Sequence, residues 1–501
     1  MAAEVLDADE EFDVVVIGAG ISGIGAATYF SRELPGKSLV VLEGRDNIGG
    51  TWDLFRYPGI RSDSDLHTFG YEFKPWRHEA AIADAPLIRE YLRETVEEND
   101  LERLIRLRHR VVRAEWSTVD SKWSLRVEAP GSVKTIRARW VFAATGYYRY
   151  DKGFSPEFRG RDDFGGRIVH PQHWPEDLDH SGKKVVVIGS GATAITLVPA
   201  MATEARHVTM LQRTPTYVMA LPRVDRVART LTKVLGEKRG YAATRFKNIW
   251  TEHAIVKGLR AFPKIGRAVI RRENRKRLPK GFDVDKHFNP PYDPWDQRLC
   301  LAPDGDFFDA IKAGTASVVT DTITRFSKRG VVLESGEELE ADVIVTATGL
   351  NMRLFDGMPI AVDGREIDLA DSVSYRGMLL SGIPNWAMAI GYTTSSWTLK
   401  VSLMCRYFID LVRHMDAHGH DQVVPVALPG TPRRPVMDLQ AGYAKRAEKS
   451  LPKQGDAAPW RMALSYPEDA KALRGPVADE NLEFGTARPA ALPGERRSAR
   501  V

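Results

Sequence analysis

Residues 12–30 read FDVVVIGAGISGIGAATYF. Residues 12–17 are a short apolar run rich in β-branched side chains, which predicts a strand buried on both faces of a parallel sheet. Gly18, Gly20 and Gly23 follow at GxGxxG spacing. The first glycine permits a tight turn, the second lets the backbone approach a pyrophosphate, and the third lets the next helix pack against the strand. The N-terminus of that helix offers unpaired N–H groups and a positive dipole end to the same pyrophosphate. A second apolar run, residues 38–42, ends at Glu43, where a carboxylate accepts hydrogen bonds from ribose hydroxyls. A bare GxGxxG also occurs in plain strand–helix turns; the flanking strand, helix and acid make the dinucleotide reading specific.

The pattern recurs at residues 183–200, KKVVVIGSGATAITLVPA. Gly189, Gly191 and Ala194 form the GxGxxA variant after a strand, with Thr193 on the first helical turn as a further cofactor contact. The next strand, residues 207–212, ends at Arg213, followed by Thr214. Arg213 lies 24 residues after Gly189, and Glu43 lies 25 residues after Gly18. The two positions are nearly equivalent but opposite in charge. Glu43 suits an unphosphorylated ribose, as in FAD, whereas Arg213 can pair with a 2′-phosphate, as in NADPH. The competing reading of Arg213 is a solvated surface arginine. One FAD site and one NADP(H) site are therefore expected in one chain.

A chain of 501 residues exceeds one ordinary core. The expected fold is α/β, with two Rossmann-like dinucleotide-binding domains and a helical insertion. The strands in RWVFAATGYY (residues 139–148) and ADVIVTATGLN (residues 341–351) each end in an Ala-Thr-Gly turn. Those turns are expected to mark crossings between domains. The FAD domain would occupy 1–147 and 350–501, the NADPH domain 148–222 and 296–349, and the insertion 223–295.

A hydrophobic content of 43% and a charged content of 27% are those of a globular protein. No secretory pattern opens the chain. There are two cysteines, Cys300 and Cys405, which suits a reducing cytoplasm. They are too far apart to serve as the redox-active pair of a disulfide reductase. What remains is a flavin reduced by NADPH that passes electrons to another acceptor, with O2 the leading candidate. A net charge of +5 does not point to nucleic acid.

Residues 164–177, FGGRIVHPQHWPED, are too elaborate for a linker. They resemble the Baeyer–Villiger monooxygenase fingerprint FxGxxxHxxxWP, with Phe164, Gly166, His170, Trp174 and Pro175 in place. GGTWDLFRYPGIRSDSD, VVVIGSGATA, LQRTPTY, PYDPWDQRLCL and GYTTSSWTLK are similar to one subgroup, the ethionamide-activating monooxygenases. The resemblance spans about residues 12–465; the Pro- and Arg-rich tail lies outside it and reads as disordered. It implies NADPH- and O2-dependent conversion of ketones to esters or lactones through a C4a-peroxyflavin, with sulfide oxidation as a second activity. An N- or S-oxygenating flavoenzyme is the nearest alternative, and an NADPH-dependent electron carrier is an alternative of another class.

The resemblance also implies roles. His170 would hydrogen-bond across the hinge between domains and Trp174 would pack beneath it. A metal site from His170 and His173 lacks further ligands, so no metal is expected. Arg298 would be the cation beside the flavin that stabilises the anionic oxygen intermediates, and Asp63 would position it, with Asp65 as the nearby competitor. Without the family, Arg298 reads as a salt bridge to Asp293 or Asp296. Where many relatives carry a lysine before this arginine, this chain has Gln297, so 2′-phosphate recognition would rest on Arg213 and Thr214. Gly49, Gly50, Thr51 and Trp52 would lie along FAD, although Trp52 is equally well read as core. Trp397 would line the substrate or nicotinamide cavity.

The middle segment is strongly basic: residues 260–280 hold nine Lys or Arg and one acid, Glu273. Phe262, Ile265, Val269 and Ile270 could face an anionic membrane. The ordinary reading is a solvated helix face over the substrate cavity. A nucleic-acid recognition motif is absent.

Overall fold

The computed structural model describes residues 10–297, 299–392, 395–437 and 442–487. Two sheets organise them. In the first, β1 (Glu10–Ile17) is flanked in parallel by β2 (Leu39–Leu42) on one side and β3 (Ser132–Ala143) on the other. Val14 to Val16 are fully buried, as a strand covered on both faces requires. Strands Arg110–Ser117 and Lys122–Ala129 extend β3 antiparallel. The second sheet has five parallel strands. Its centre is β4 (Lys184–Ile188), paired with β5 (His207–Gln212) and β6 (Val343–Thr346). Arg167–Val169 and Ala316–Thr320 form its edges.

Each sheet has its own apolar core. Val14, Phe30, Phe142 and Phe408 belong to the first; Val187, Ile195, Val208 and Phe307 belong to the second. Helix α1 (Ile21–Glu33) follows β1 and helix α2 (Ala192–Met201) follows β4. The two halves thus repeat one strand–turn–helix unit.

Between the two passes through the second sheet the chain forms helices α3 (Arg226–Leu235), α4 (Glu237–Ala261) and α5 (Pro263–Arg277). On α5 the buried positions are Gly266, Ile270 and Asn274, an i, i+4, i+8 stripe. Ile270 packs with Tyr217 and Leu299. The expectation that Ile270 faces outward with Phe262, Ile265 and Val269 is therefore corrected. Consecutive helical residues lie about 100° apart, and Ile270 falls on the inner stripe while Val269 does not. The long helix α6 (Trp397–His418) returns to the first core, where Phe408 meets Trp140 and Phe142 edge-on and Phe30 at a tilt. No helix among the described residues is long and apolar enough to cross a membrane.

Candidate active site

The first cradle forms where β1 meets α1. Gly18 has φ +103°, and a Cβ there would sit 2.7 Å from the Ala144 carbonyl oxygen. In the second cradle Gly189 has φ +129°, and its Cβ would sit 2.3 Å from the Ala347 oxygen. The two Ala-Thr-Gly turns are thus the matching lids under the two glycine turns. A Cβ on Gly23 would meet the Gly18 oxygen at 1.8 Å, so the helix can pack this close only without one. At the equivalent position Ala194 is fully buried.

Both helices begin on glycine, Gly20 for α1 and Gly191 for α2. Neither has a side-chain cap or an acid in its first turn. Their leading N–H groups are thus left for an external acceptor. The space beside them is open: a Cβ on Gly20 would meet only Gly50 backbone at 3.6 Å, and one on Gly191 would meet nothing within 4 Å. Two uncapped, backbone-lined helix starts fit two pyrophosphates.

Glu43 is buried, and its carboxylate accepts from the Ala19 N–H at 2.7 Å and the Arg45 N–H at 2.9 Å. Burial raises its pKa against these two donors. Arg45 donates to the Gly50 carbonyl at 3.0 Å and to Asp53 at 2.8 Å, which fixes the Gly49–Gly50 turn beside Gly20. Thr51 opens the short helix after that turn. Trp52 is half-buried, lies edge-on to Phe69 and lines the cavity described below. In the second cradle Thr193 lines the cavity beside the buried Tyr57. Arg213, just past β5, is exposed and enters no ion pair among the described residues. Thr214 accepts through its carbonyl from the Ser190 hydroxyl at 3.3 Å.

The fingerprint segment packs where the sheets meet. His170 Nε2 donates to the Gly349 carbonyl at 3.2 Å, and Nδ1 accepts from the Gln172 N–H at 3.2 Å. Burial lowers its pKa, which keeps the neutral tautomer that this pairing needs. Its ring lies against Gly153, where a Cβ would come within 2.1 Å. Gln172, a variable position of the fingerprint pattern, donates to the Arg149 and Tyr150 carbonyls at 2.7 and 2.8 Å. Phe164 is buried and covers Gly166, whose Cβ would collide with that ring and with the Asp342 oxygen. Trp174 is half-buried against the second core.

A cavity of about 1470 Å³ lies between both cradles and the helical insertion. It exceeds the roughly 300–1,000 Å³ of a site for one drug-sized ligand. Gly18, Gly20 and Gly50 reach it from one side, and Ala192, Thr193 and Thr196 from the other. Asp63 and Asp65 both line it. Asp65 caps the short helix after it, accepting from the His67 N–H and from Asn248. Asp65, His67 and Asp225 approach within 4.8 Å, but Asn248, Lys247 and the Ala228 N–H occupy the carboxylates. Arg298 lies outside the described residues, as does the tail from Arg488; Trp295 and Leu299 on either side of Arg298 line the cavity. Trp397 also lines it, donating to the Ser22 hydroxyl at 2.8 Å and stacking on Tyr147.

Glu252 on α4 is a site residue that motif reading missed. It lines the cavity and accepts from the Ser395 hydroxyl at 3.1 Å. Burial, reinforced by Asp65 and Asp63, pushes its carboxyl up to about 7. No local signal marks it, because its neighbours in space lie far away in sequence.

Comparison with known proteins decides the family. The chain is 51% identical over 479 residues to the FAD-containing monooxygenase EthA of Mycolicibacterium smegmatis, covering 95% of this chain and 97% of that one. The chain belongs to the EthA family of FAD-containing monooxygenases. Identity to EthA of Mycobacterium tuberculosis is 48%, over 96% of this chain and 99% of the other. The probable FAD-binding monooxygenase AlmA of Acinetobacter baylyi is 45% identical, over 95% of this chain and 96% of its own. A family model described as pyridine nucleotide-disulphide oxidoreductase matches residues 12–240. Both cysteines of this family member are buried and neither is in a disulfide, so the match reflects the nucleotide fold rather than disulfide chemistry. The fold is also that of a steroid monooxygenase solved with NADP (TM-score 0.75, 23% identity, 95% of this chain and 100% of that one). It matches equally a cyclohexanone monooxygenase from Rhodococcus (TM-score 0.73, 22% identity, 96% and 100%).

Proposed function

We propose that this monooxygenase uses NADPH and O2 to insert one oxygen atom beside the carbonyl of a ketone, giving an ester or lactone, and that it also oxidises sulfides. The observation that carries this reading is the convergence of two uncapped dinucleotide cradles and an acid-bearing wall on one large cavity. A carrier of electrons to a protein partner has no use for such a chamber.

Gly18, Gly20, Gly23, Glu43, Gly50, Thr51 and Trp52 would hold FAD. Gly189, Gly191, Thr193, Arg213 and Thr214 would hold NADPH. When bound, the flavin takes two electrons from NADPH and activates O2, so that one oxygen atom enters the product and the other leaves as water. The chain's own part is charge and enclosure. Arg298 is assigned the fixed cation that stabilises negative charge at the reacting oxygen, a role whose loss typically costs about 10²–10³ in rate. Asp63 is assigned its positioning. Trp397, held by Ser22 and Tyr147, screens the chamber from water. The hinge contacts of His170 and Gln172 hold the two cradles in a fixed relation.

The test is product analysis with ¹⁸O2. FAD-loaded protein and NADPH are incubated with an aliphatic 2-ketone or an aryl methyl sulfide. An ester carrying one ¹⁸O atom is expected, with ester formation lost in Arg298→Ala. NADPH consumption matched by hydrogen peroxide, without oxygenated product, would sink the reading. Sulfoxide without ester, indifferent to Arg298→Ala, would reassign the chain as a heteroatom oxygenase.

A further inference from the structure

Exposed apolar side chains on this molecule are not scattered. Of the twelve large ones among the described residues, nine run from Val227 to Val269, on α3, α4, α5 and at Phe262 between the last two. Single exposed apolar residues need no explanation, whereas a cluster marks an interaction surface. Phe246 and Trp250 stand 67% and 47% exposed at i, i+4 on α4, with Lys257 further along the same face. Phe262, which caps α5, is 63% exposed, and Ile265 and Val269 are 62% and 55% exposed on one face of α5, with Arg272 continuing it. Helix α3 buries only Ala228 and exposes Val227, Val234 and Leu235.

The same helices concentrate positive charge. Residues 226–277 contain sixteen Lys or Arg and three Asp or Glu, while the whole chain carries only +5; the remainder is net acidic. Lys257, Arg260, Lys264 and Arg272 are exposed and enter no ion pair among the described residues. Apolar side chains interleaved with basic ones match a surface that is anionic outside and apolar beneath. A second copy of the chain offers the opposite of complementarity, since the same face would meet its own positive charge.

The surface is continuous with the cavity. Val227 and Ile255 are both exposed and both line it. The mouth therefore opens among the apolar side chains.

We propose that the face formed by α3, α4 and α5 docks on an anionic phospholipid bilayer, with the cavity mouth at the lipid surface. Docking is independent of the reaction; the corollary, that apolar ketones enter from the bilayer, rests on the proposed function. Phe246, Trp250, Phe262 and Ile265 would sit among the headgroups and upper acyl chains, with the lysines and arginines at the phosphates. Attraction of this kind weakens with salt.

The experiment is co-sedimentation of the full-length, FAD-loaded protein with phosphatidylglycerol vesicles and with phosphatidylcholine vesicles. Binding to the anionic vesicles is expected, at least tenfold weaker binding to the neutral ones, and loss in high salt. The variant Phe246→Ser/Trp250→Ser/Phe262→Ser/Ile265→Ser alters only exposed positions outside the cavity. It is expected to lose vesicle binding at least tenfold while keeping its melting temperature and its rate of NADPH oxidation with a short, water-soluble substrate. Failure of the parent protein to sediment with phosphatidylglycerol, or unchanged sedimentation of the variant, would overturn the proposal. So would concentration-dependent self-association in light scattering that the variant abolishes, because the face would then join copies of the chain. Vesicle binding without ester formation would retain the docking and remove only the corollary.

Discussion

Gly191→Ala separates a glycine kept for a ligand from a glycine kept for the fold. Gly191 has φ −79° and ψ −177°, an extended conformation open to alanine. Its new methyl would meet no protein atom within 4 Å. The folded protein should therefore tolerate the change, and restricting the unfolded chain should stabilise it by about 0.4–1 kcal/mol. A pyrophosphate approaching the uncapped α2 N-terminus would meet that methyl. Losing one hydrogen bond to a charged group removes about 1.5–3 kcal/mol, which at about 1.4 kcal/mol per tenfold weakens NADPH binding roughly 10–100-fold. Gly189→Ala is the control, because positive φ and the Ala347 oxygen at 2.3 Å make it destabilising whether or not a ligand binds. The assay pairs thermal unfolding with the anaerobic rate of flavin reduction against NADPH concentration. Gly191→Ala should keep its melting temperature and FAD content and show a 10–100-fold higher NADPH requirement. A change below about threefold, or a fall in melting temperature like that of Gly189→Ala, would refute the reasoning. Gly20→Ala should mirror it in the first cradle, losing FAD while the apoprotein stays folded.

Arg213→Ala should raise the KM for NADPH more than it alters use of NADH; equal effects would remove the 2′-phosphate assignment. Glu252 gives a pH dependence. Its carboxyl is held up at about 7 from an ordinary 4.5, so the neutral form persists up to that pH and its contribution to folding stability declines as pH rises from about 4.5 through 7. Ionisation above pH 7 places a charge in the chamber, so KM for a ketone should climb there, while Glu252→Gln should give a flat profile; the same inflexion in the variant would exonerate Glu252. Lys400 and Asp469 form a pair 3.2 Å apart with side chains 0% and 3% exposed. Lys400→Met alone should cost about 3–5 kcal/mol in denaturant unfolding and Lys400→Met/Asp469→Leu much less; equal losses would show that packing, not the stranded charge, sets the cost.

The two cradles were legible in the sequence because each is written within about 25 residues of contiguous chain. A β-branched run, a glycine turn and a helix start are local objects, and their order identifies the unit. Composition likewise exposed the basic insertion, and the two distant cysteines removed disulfide chemistry. What sequence could not decide depends on groups brought together across the fold. Gly18 needs its glycine because of Ala144, more than a hundred residues away. Asp65 reads only as a neighbour of Asp63 on paper, and its capping of a four-residue helix and its contact with Asn248 appear only in the fold. Ile270 looked outward until the inner stripe of α5 met Tyr217 and Leu299. Glu252 is one of two acids in a basic helix until Ser395, Asp63 and Asp65 surround it. Local periodicity is set by the backbone and is carried in short windows. Burial, pKa and partnership are set by tertiary packing, which joins residues that no window contains.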